Sequence, residues 1–209
     1  MADVWKVARA VAKLADGEIV FIGGIATFLH VQRRPKTGLP LEMTHDVDAS
    51  ISAVASGSLR DLEEVTENHR LHKWQIRVEN IDVDLYPQHV SELRFSYLDL
   101  APHAQRYRGL SIAAIPHLLL LKVDAIEDRG SSGKGAKDRR DAAKLLVLLH
   151  GSPQAQSLLA GLATPNDLTI LHSVVKSAAL TEIARGNAKE AAVLRKKAEE
   201  ALNAVEGAS

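Results

Sequence analysis

The chain contains no cysteine, which removes disulfides, thiolate-ligated zinc, iron–sulfur clusters and thiol catalysis. Aromatic residues make up only 4%, too few for an extended platform on which nucleic-acid bases could stack. Neither sign of charge dominates: 26 Lys and Arg balance 26 Asp and Glu. The whole chain therefore carries no general attraction for nucleic acid or membrane, and any such binding must come from local patches. No apolar run approaches the length of a membrane span; the longest beside a helix, Ile115 to Leu121, is far too short. The first residues lack a basic flank followed by an apolar stretch, so no signal peptide is expected. Together these absences predict a cytoplasmic protein with no membrane partner. What remains is ordinary for a globular chain: 209 residues, 46% apolar and 25% charged, enough for a sizeable core.

Residues 2–15 place Val4, Val7, Ala8, Val11 and Leu14 at helical spacing. Glu18 to Ile22 reads as a strand, broken by Gly23-Gly24, and Ile25 to Val31 reads as helix. A proline- and glycine-containing loop covers 32–42, and a strand runs from His45 to Ile51. Ser58 is placed to cap a helix reaching about Asn68. Strands at Lys73–Val78 and Ile81–Tyr86 flank a tight turn at Glu79-Asn80. A short strand is expected at Gly109–Ala113, and a helix from Pro116 to about Asp128. Residues 130–136, GSSGKGA, predict a flexible loop before a helix at Lys137–Leu149. Thr164-Pro165-Asn166-Asp167 signals another helix start. The rest is Ala-, Lys- and Glu-rich helix whose stripe, Ala191, Leu194, Ala198, Ala201 and Val205, is expected to pack on Leu168, Leu171, Val174 and Val175. The fold class is thus α/β (α+β), a mixed sheet flanked by helices. Residues 1–150 form the principal domain and 151–209 a C-terminal helical region.

Three short pieces carry the chemistry: strand–Gly23-Gly24–helix, Thr44-His45-Asp46-Val47-Asp48, and Ile81-Asp82-Val83-Asp84-Leu85. Strand residues two apart share a face, so Asp46 and Asp48 project together, as do Asp82 and Asp84. On an isolated strand such a pair most simply faces water. With a diglycine upstream, whose backbone N–H groups can approach phosphate oxygens at a helix start, a second reading opens. Paired carboxylates are hard oxygen ligands suited to Mg2+ carrying substrate phosphates, and a two-metal site suits phosphoryl or nucleotidyl transfer.

These residues, in this order, resemble the nucleotidyltransferase superfamily typified by DNA polymerase β. The closer similarity is to its abortive-infection toxin-like branch, the AbiEii/AbiGii group. Gly23-Gly24-Ile25-Ala26, Thr44, Asp46-Val47-Asp48, Asp84, Lys122, Asp128-Arg129 and Lys137-Asp138-x-x-Asp141 look like that branch's elements. The resemblance spans roughly residues 15–150. The loop at 32–42 lengthens the usual spacing, and Glu42 and Met43 stand where the branch commonly has an arginine, with Arg33 and Arg34 farther back.

The resemblance implies an Mg2+-dependent enzyme moving an NMP from an NTP to an acceptor, tRNA or protein. It also implies a toxin with a cognate antitoxin. Asp46, Asp48 and Asp84 would be catalytic and metal-binding, with Asp82 the alternative to Asp84. Gly23, Gly24, Thr44, Lys122, Arg129, Lys137 and Asp141 would bind the nucleotide, Lys137 touching the triphosphate. Two alternatives stand beside it: transfer to a small acceptor of aminoglycoside type, and a binding module without activity. Residues 151–209, with six bases and six acids, lack an acidic aminoglycoside-binding domain.

Other signals are weaker. GSSGKGAKD lacks the spacing of a phosphate-binding P-loop. His69-x-x-His72 has no accompanying zinc-ligand pattern. Lys137 and Asp141, four apart on a helix, could be no more than a surface ion pair. Residues 129–144 hold six Lys or Arg against two Asp, whereas 59–99 hold nine acids against five bases. Neutrality overall thus hides opposed segments, the basic one suited to steering a triphosphate or RNA.

Overall fold

The computed structural model describes residues 2–60, 65–68, 72–78, 80–130 and 132–208. The chain divides into two units, Met1–Leu29 with Glu42–Ala114, and His30–Leu41 with Ile115–Ser209.

The first unit contains a seven-stranded sheet. Its strands are β1 (Ile19–Ile22), β2 (Asp46–Ile51), β3 (Thr66–Asn68), β4 (Lys73–Val78), β5 (Ile81–Pro87), β6 (Gln105–Tyr107) and β7 (Leu110–Ile112). They lie in the order β3-β4-β5-β2-β1-β7-β6. The sheet is mixed, as the hairpin signals predict: β2 runs parallel to β5 and β1 parallel to β7, while the other neighbours are antiparallel. All four residues of β1 are buried, which suits a strand made wholly of Ile, Val and Phe. In β2 and β5 the alternation separates two faces. Val47, Ala49, Val83 and Leu85 are fully buried on one, and Asp46, Asp48, Asp82 and Asp84 share the other.

Helices α1 (Ala2–Leu14), α3 (Ala53–Arg60) and α4 (Tyr97–Leu100) belong to this unit, and α2 (Gly23–Gln32) leads out of it. α1 buries Val4, Val7, Ala8 and Val11, the apolar stripe its sequence presents. Ser58 does not start a helix. It lies inside α3, whose first turn is capped by Ser52, with Ala55 N–H donating to the Ser52 hydroxyl at 3.0 Å. The chain passes from β2 to helix across one residue, so the hydroxyl that meets the orphan N–H groups is the one at the strand's end. Residues 66–68, expected as the end of that helix, instead pair as β3 with β4; 61–64 lie outside the described residues. Glu79 of the predicted turn also lies outside them, and Asn80 holds a left-handed φ of 64°. β6 was not legible as a strand, because three residues beside a two-residue turn give almost no period.

The second unit is helical: α5 (Ile115–Arg129), α6 (Gly133–Leu149), α7 (Pro153–Leu162), α8 (Pro165–Lys176), α9 (Ala179–Ile183) and α10 (Ala188–Glu206). Thr164 and Asp167 form the capping box that opens α8, as its sequence predicts. All five residues of the Ala191–Val205 stripe are buried, and α10 packs against α6, α7 and α9 as well as α8. Most of the expected glycine-rich loop is helix. α6 begins at Gly133, capped by Ser132, whose hydroxyl accepts from Gly135 N–H at 3.1 Å. A Cβ on Gly135 would overlap the Gly130 carbonyl, so this glycine permits a close approach between the first turn of α6 and the end of α5. Among the described residues no helix is long and apolar enough to cross a membrane.

Candidate active site

The sheet register assembles the carboxylates. Asp46 lies opposite Asp82, and Asp48 opposite Asp84, across the parallel β2–β5 pair. On its other side Asp48 lies opposite Ile22, the last residue of β1. The next residue, Gly23, starts α2 with a left-handed φ of 62°. A Cβ at Gly23 would overlap the Asp48 carboxylate, so glycine is required twice over. Asp48 thus stands where β1, β2, β5 and the N-terminus of α2 meet, beside the positive end of the helix dipole. Gly24 follows in the same first turn and is half-buried.

Thr44 is buried just before β2, and its hydroxyl donates to Asp46 Oδ1 at 2.7 Å. Thr44, two residues before Asp46, therefore orients the first acid of the Asp-x-Asp stretch. His45 is exposed.

Asp84 has a different environment. Lys73 Nζ forms an ion pair with Asp84 Oδ2, and Gln75 Nε2 donates to Asp84 Oδ1 at 3.0 Å. Asp82 pairs with Arg77 Nε at 2.8 Å, more exposed to water. The hydrogen bond to Asp82, then that residue's charge, raises the Arg77 pKa. Strand β4 thus lays a ladder of Lys73, Gln75 and Arg77 along the acids of β5. A signal for these partners was present in the sequence. In the hairpin expected from Lys73–Val78 and Ile81–Tyr86, Val78 lies opposite Ile81, which sets Gln75 opposite Asp84 and Arg77 opposite Asp82.

The donor set is all oxygen, carboxylates with a hydroxyl behind them, and this suits a hard divalent cation rather than zinc or copper. Asp46 and Asp48 fit such an ion when substrate phosphates complete its shell. Asp84 already faces an ammonium. Among the described residues, no three His, Asp or Glu side chains stand together as ligands of one ion.

The remaining predicted residues lie in the second unit, where α5 and α6 pack together. Lys122 is buried, and its ammonium donates to Asp138 Oδ1 at 2.7 Å and Asp141 Oδ2 at 2.9 Å. Arg129 Nη1 donates to Asp138 Oδ2 at 2.7 Å, and Lys144 Nζ stands 4.0 Å from Asp141. Burial lowers the Lys122 pKa, but the charges of Asp141 and Asp138 and their hydrogen bonds outweigh it, so the net shift is upward. Lys122 and Arg129, two turns apart on one face, thus converge on Asp138. Asp141 joins Lys122 rather than forming a surface pair with Lys137. Lys137 is half-buried and has no ion pair among the described residues. In the same unit Arg34 Nη1 is buried without an acceptor among the described residues, and burial, then the charge of Arg33, lowers that guanidinium's pKa. His72 pairs with Glu92 at 3.3 Å, while His69 lies outside the described residues.

No family model matches the chain, and no curated protein matches it. Among solved structures it is similar to JHP933 from Helicobacter pylori, with a TM-score of 0.50 at 16% identity, covering 97% of this chain and 91% of that one. What the two share is a fold. An antigenic nucleotidyltransferase-like protein from Paracoccidioides brasiliensis gives a TM-score of 0.45 at 19% identity, covering 81% of this chain and 90% of that one. Neither likeness assigns a reaction, and the second is too low to support any argument.

Proposed function

We propose that the chain is a nucleotidyltransferase of the polymerase-β type, with its chemistry on the carboxylate face of β2 and β5. One observation supports this above the others. The register sets Asp48 between Asp84 and the glycine that opens α2. An ordered Gly-Gly, Asp-x-Asp, Asp sequence thereby becomes a local cluster.

In this reading Asp46 and Asp48 would hold Mg2+ beside a bound NTP. The ion supplies neutralisation of charge on the transferring phosphoryl group. Thr44 fixes Asp46, and the first turn of α2 directs N–H groups toward phosphate. The acceptor hydroxyl forms a bond to the α-phosphorus as the bond to pyrophosphate breaks, and Asp84 takes the hydroxyl proton. Lys73 must then yield its hold on Asp84. Lys122, Arg129 and Asp141 brace α5 against α6 within the second unit.

The biological setting carried by the resemblance belongs to the same proposal: an AbiEii-like toxin acting on tRNA or protein, opposed by an antitoxin. The test is incubation with labelled NTPs, Mg2+ and cell extract. Wild type should label an acceptor, and Asp46→Ala/Asp48→Ala should reduce labelling by about a hundredfold or more. Equal labelling by both would refute the assignment.

A second reading, a binding module without transfer, is favoured by the Lys73 and Gln75 contacts that engage both oxygens of Asp84. Magnesium-dependent NTP binding without any labelled acceptor, in wild type and in Lys73→Met alike, would favour it.

A further inference from the structure

Away from the carboxylates, the first unit has a pocket of about 260 Å³ between the end of α1 and the β6–β7 hairpin. Arg9, Lys13 and Arg106 line it together with Ser111, Gly17 and Gly109, and among the described residues no acid does. It reaches Ile19, the first residue of β1, whereas Asp48 lies opposite Ile22, the last. Three residues of strand, roughly 10 Å, separate the two ends, so the pocket and the carboxylate site are distinct.

We propose that this pocket binds a phosphate group. The three cations come from two separate elements, and local helix electrostatics accounts for only one of them. Lys13, in the last turn of α1, stands where the helix dipole favours a cation. Arg9 lies one turn earlier, with its guanidinium carbon 5.1 Å from the centroid of the Trp5 ring. Arg106 comes from β6, where it lies opposite Ser111 of β7, so a guanidinium and a hydroxyl share one face of the hairpin.

None of the three cations has an ion pair among the described residues. Glu18, the nearest acid in sequence after Asp16, accepts from the Ser52 hydroxyl instead. At the end of α1 the carbonyls of Val11, Ala12 and Lys13 accept from Ala15, Gly17 and Asp16 N–H, so none of the three is left unpaired. Gly17 and Gly109 carry no side chain, and beyond their chain neighbours no described residue lies within 4 Å of where a Cβ would stand. The backbone at both rims is therefore open to a ligand. Three like charges lining one pocket are served by a tetrahedral oxyanion, which matches the forked guanidinium donors.

Phosphate can arrive as a small free anion or within a polynucleotide backbone, and calorimetry can separate the two. The full chain is titrated with pyrophosphate and, separately, with a single-stranded octaribonucleotide, in low salt with EDTA so that no divalent cation bridges phosphate to Asp46 and Asp48. Binding of at least one probe is expected. Lys13→Gln and Arg106→Gln, both at exposed positions, should each weaken it about tenfold. Asp46→Asn/Asp48→Asn should leave it unchanged, which keeps this outcome independent of the proposed transferase site. Loss of pyrophosphate binding in the variants identifies a small-anion site, and loss of tighter octanucleotide binding identifies a backbone site. No binding of either probe by wild type, or equal binding by wild type and a Lys13→Gln/Arg106→Gln double variant, would overturn the proposal.

Discussion

At the scale of single residues, Gly23 and Lys73 set the state of the carboxylate face. Gly23→Ala would place a Cβ in the left-handed region and against Asp48. The backbone term alone costs about 1–2 kcal/mol. A lower melting temperature together with loss of Mg2+-dependent nucleotide binding is expected; unchanged binding would separate Asp48 from the ion. Lys73→Met removes a cation that competes for Asp84. It should tighten Mg2+ binding about fivefold, the size of a contact near 1 kcal/mol, by calorimetry. Unchanged affinity would show that Asp84 does not reach the ion. The acids themselves were legible because a two-residue alternation fixes which side chains share a face. Their neighbours were not. The pairing of β2 with β5 joins segments about 36 residues apart, and no local rule selects that partner.

At the scale of elements, the α5–α6 pair is held by charge as well as by leucine. Lys122 neutralises Asp138 and Asp141 where water is excluded. Lys122→Met would leave two buried carboxylates short of a cation, and a loss of about 3–5 kcal/mol is expected in chemical unfolding. The pH dependence follows from the raised pKa. The stabilisation is complete below the ordinary lysine value of 10.5 and is lost as pH rises through the higher folded-state value. Wild type should therefore lose stability relative to Lys122→Met only in strongly alkaline solution. A difference that collapses near neutral pH would contradict the network.

Most element types were legible from period and capping residues: α1, β1, the β4–β5 hairpin and the α8 capping box. The errors fell where short-range signals compete. Ser58 and Ser52 are equally good caps in sequence, and only the end of β2 decides between them. GSSGKGA has a loop composition, but Ser132 supplies a cap and Gly135 a close approach, so the helix begins within it.

At the scale of the whole molecule, equal numbers of acids and bases resolve into local pairs more than into opposed surfaces. In the basic stretch 129–144, Arg129 and Lys144 face Asp138 and Asp141, Arg139 donates to the Gly130 carbonyl, and Arg140 pairs with Glu182. That leaves Lys134 and Lys137 as its cations with neither an ion pair nor a side-chain hydrogen bond among the described residues. The acids of β5 are likewise matched by β4. Summed charge along the sequence therefore overstates the field this stretch can exert beyond its own neighbours.

Calorimetric titration of the intact chain with Mg2+ and a non-hydrolysable NTP analogue probes the carboxylate face directly. Wild type should bind the nucleotide only with Mg2+ present, and Asp46→Asn/Asp48→Asn should weaken that binding about tenfold or more. Equal affinity in wild type and variant, or wild-type binding indifferent to Mg2+, would contradict a metal–nucleotide site at Asp46 and Asp48.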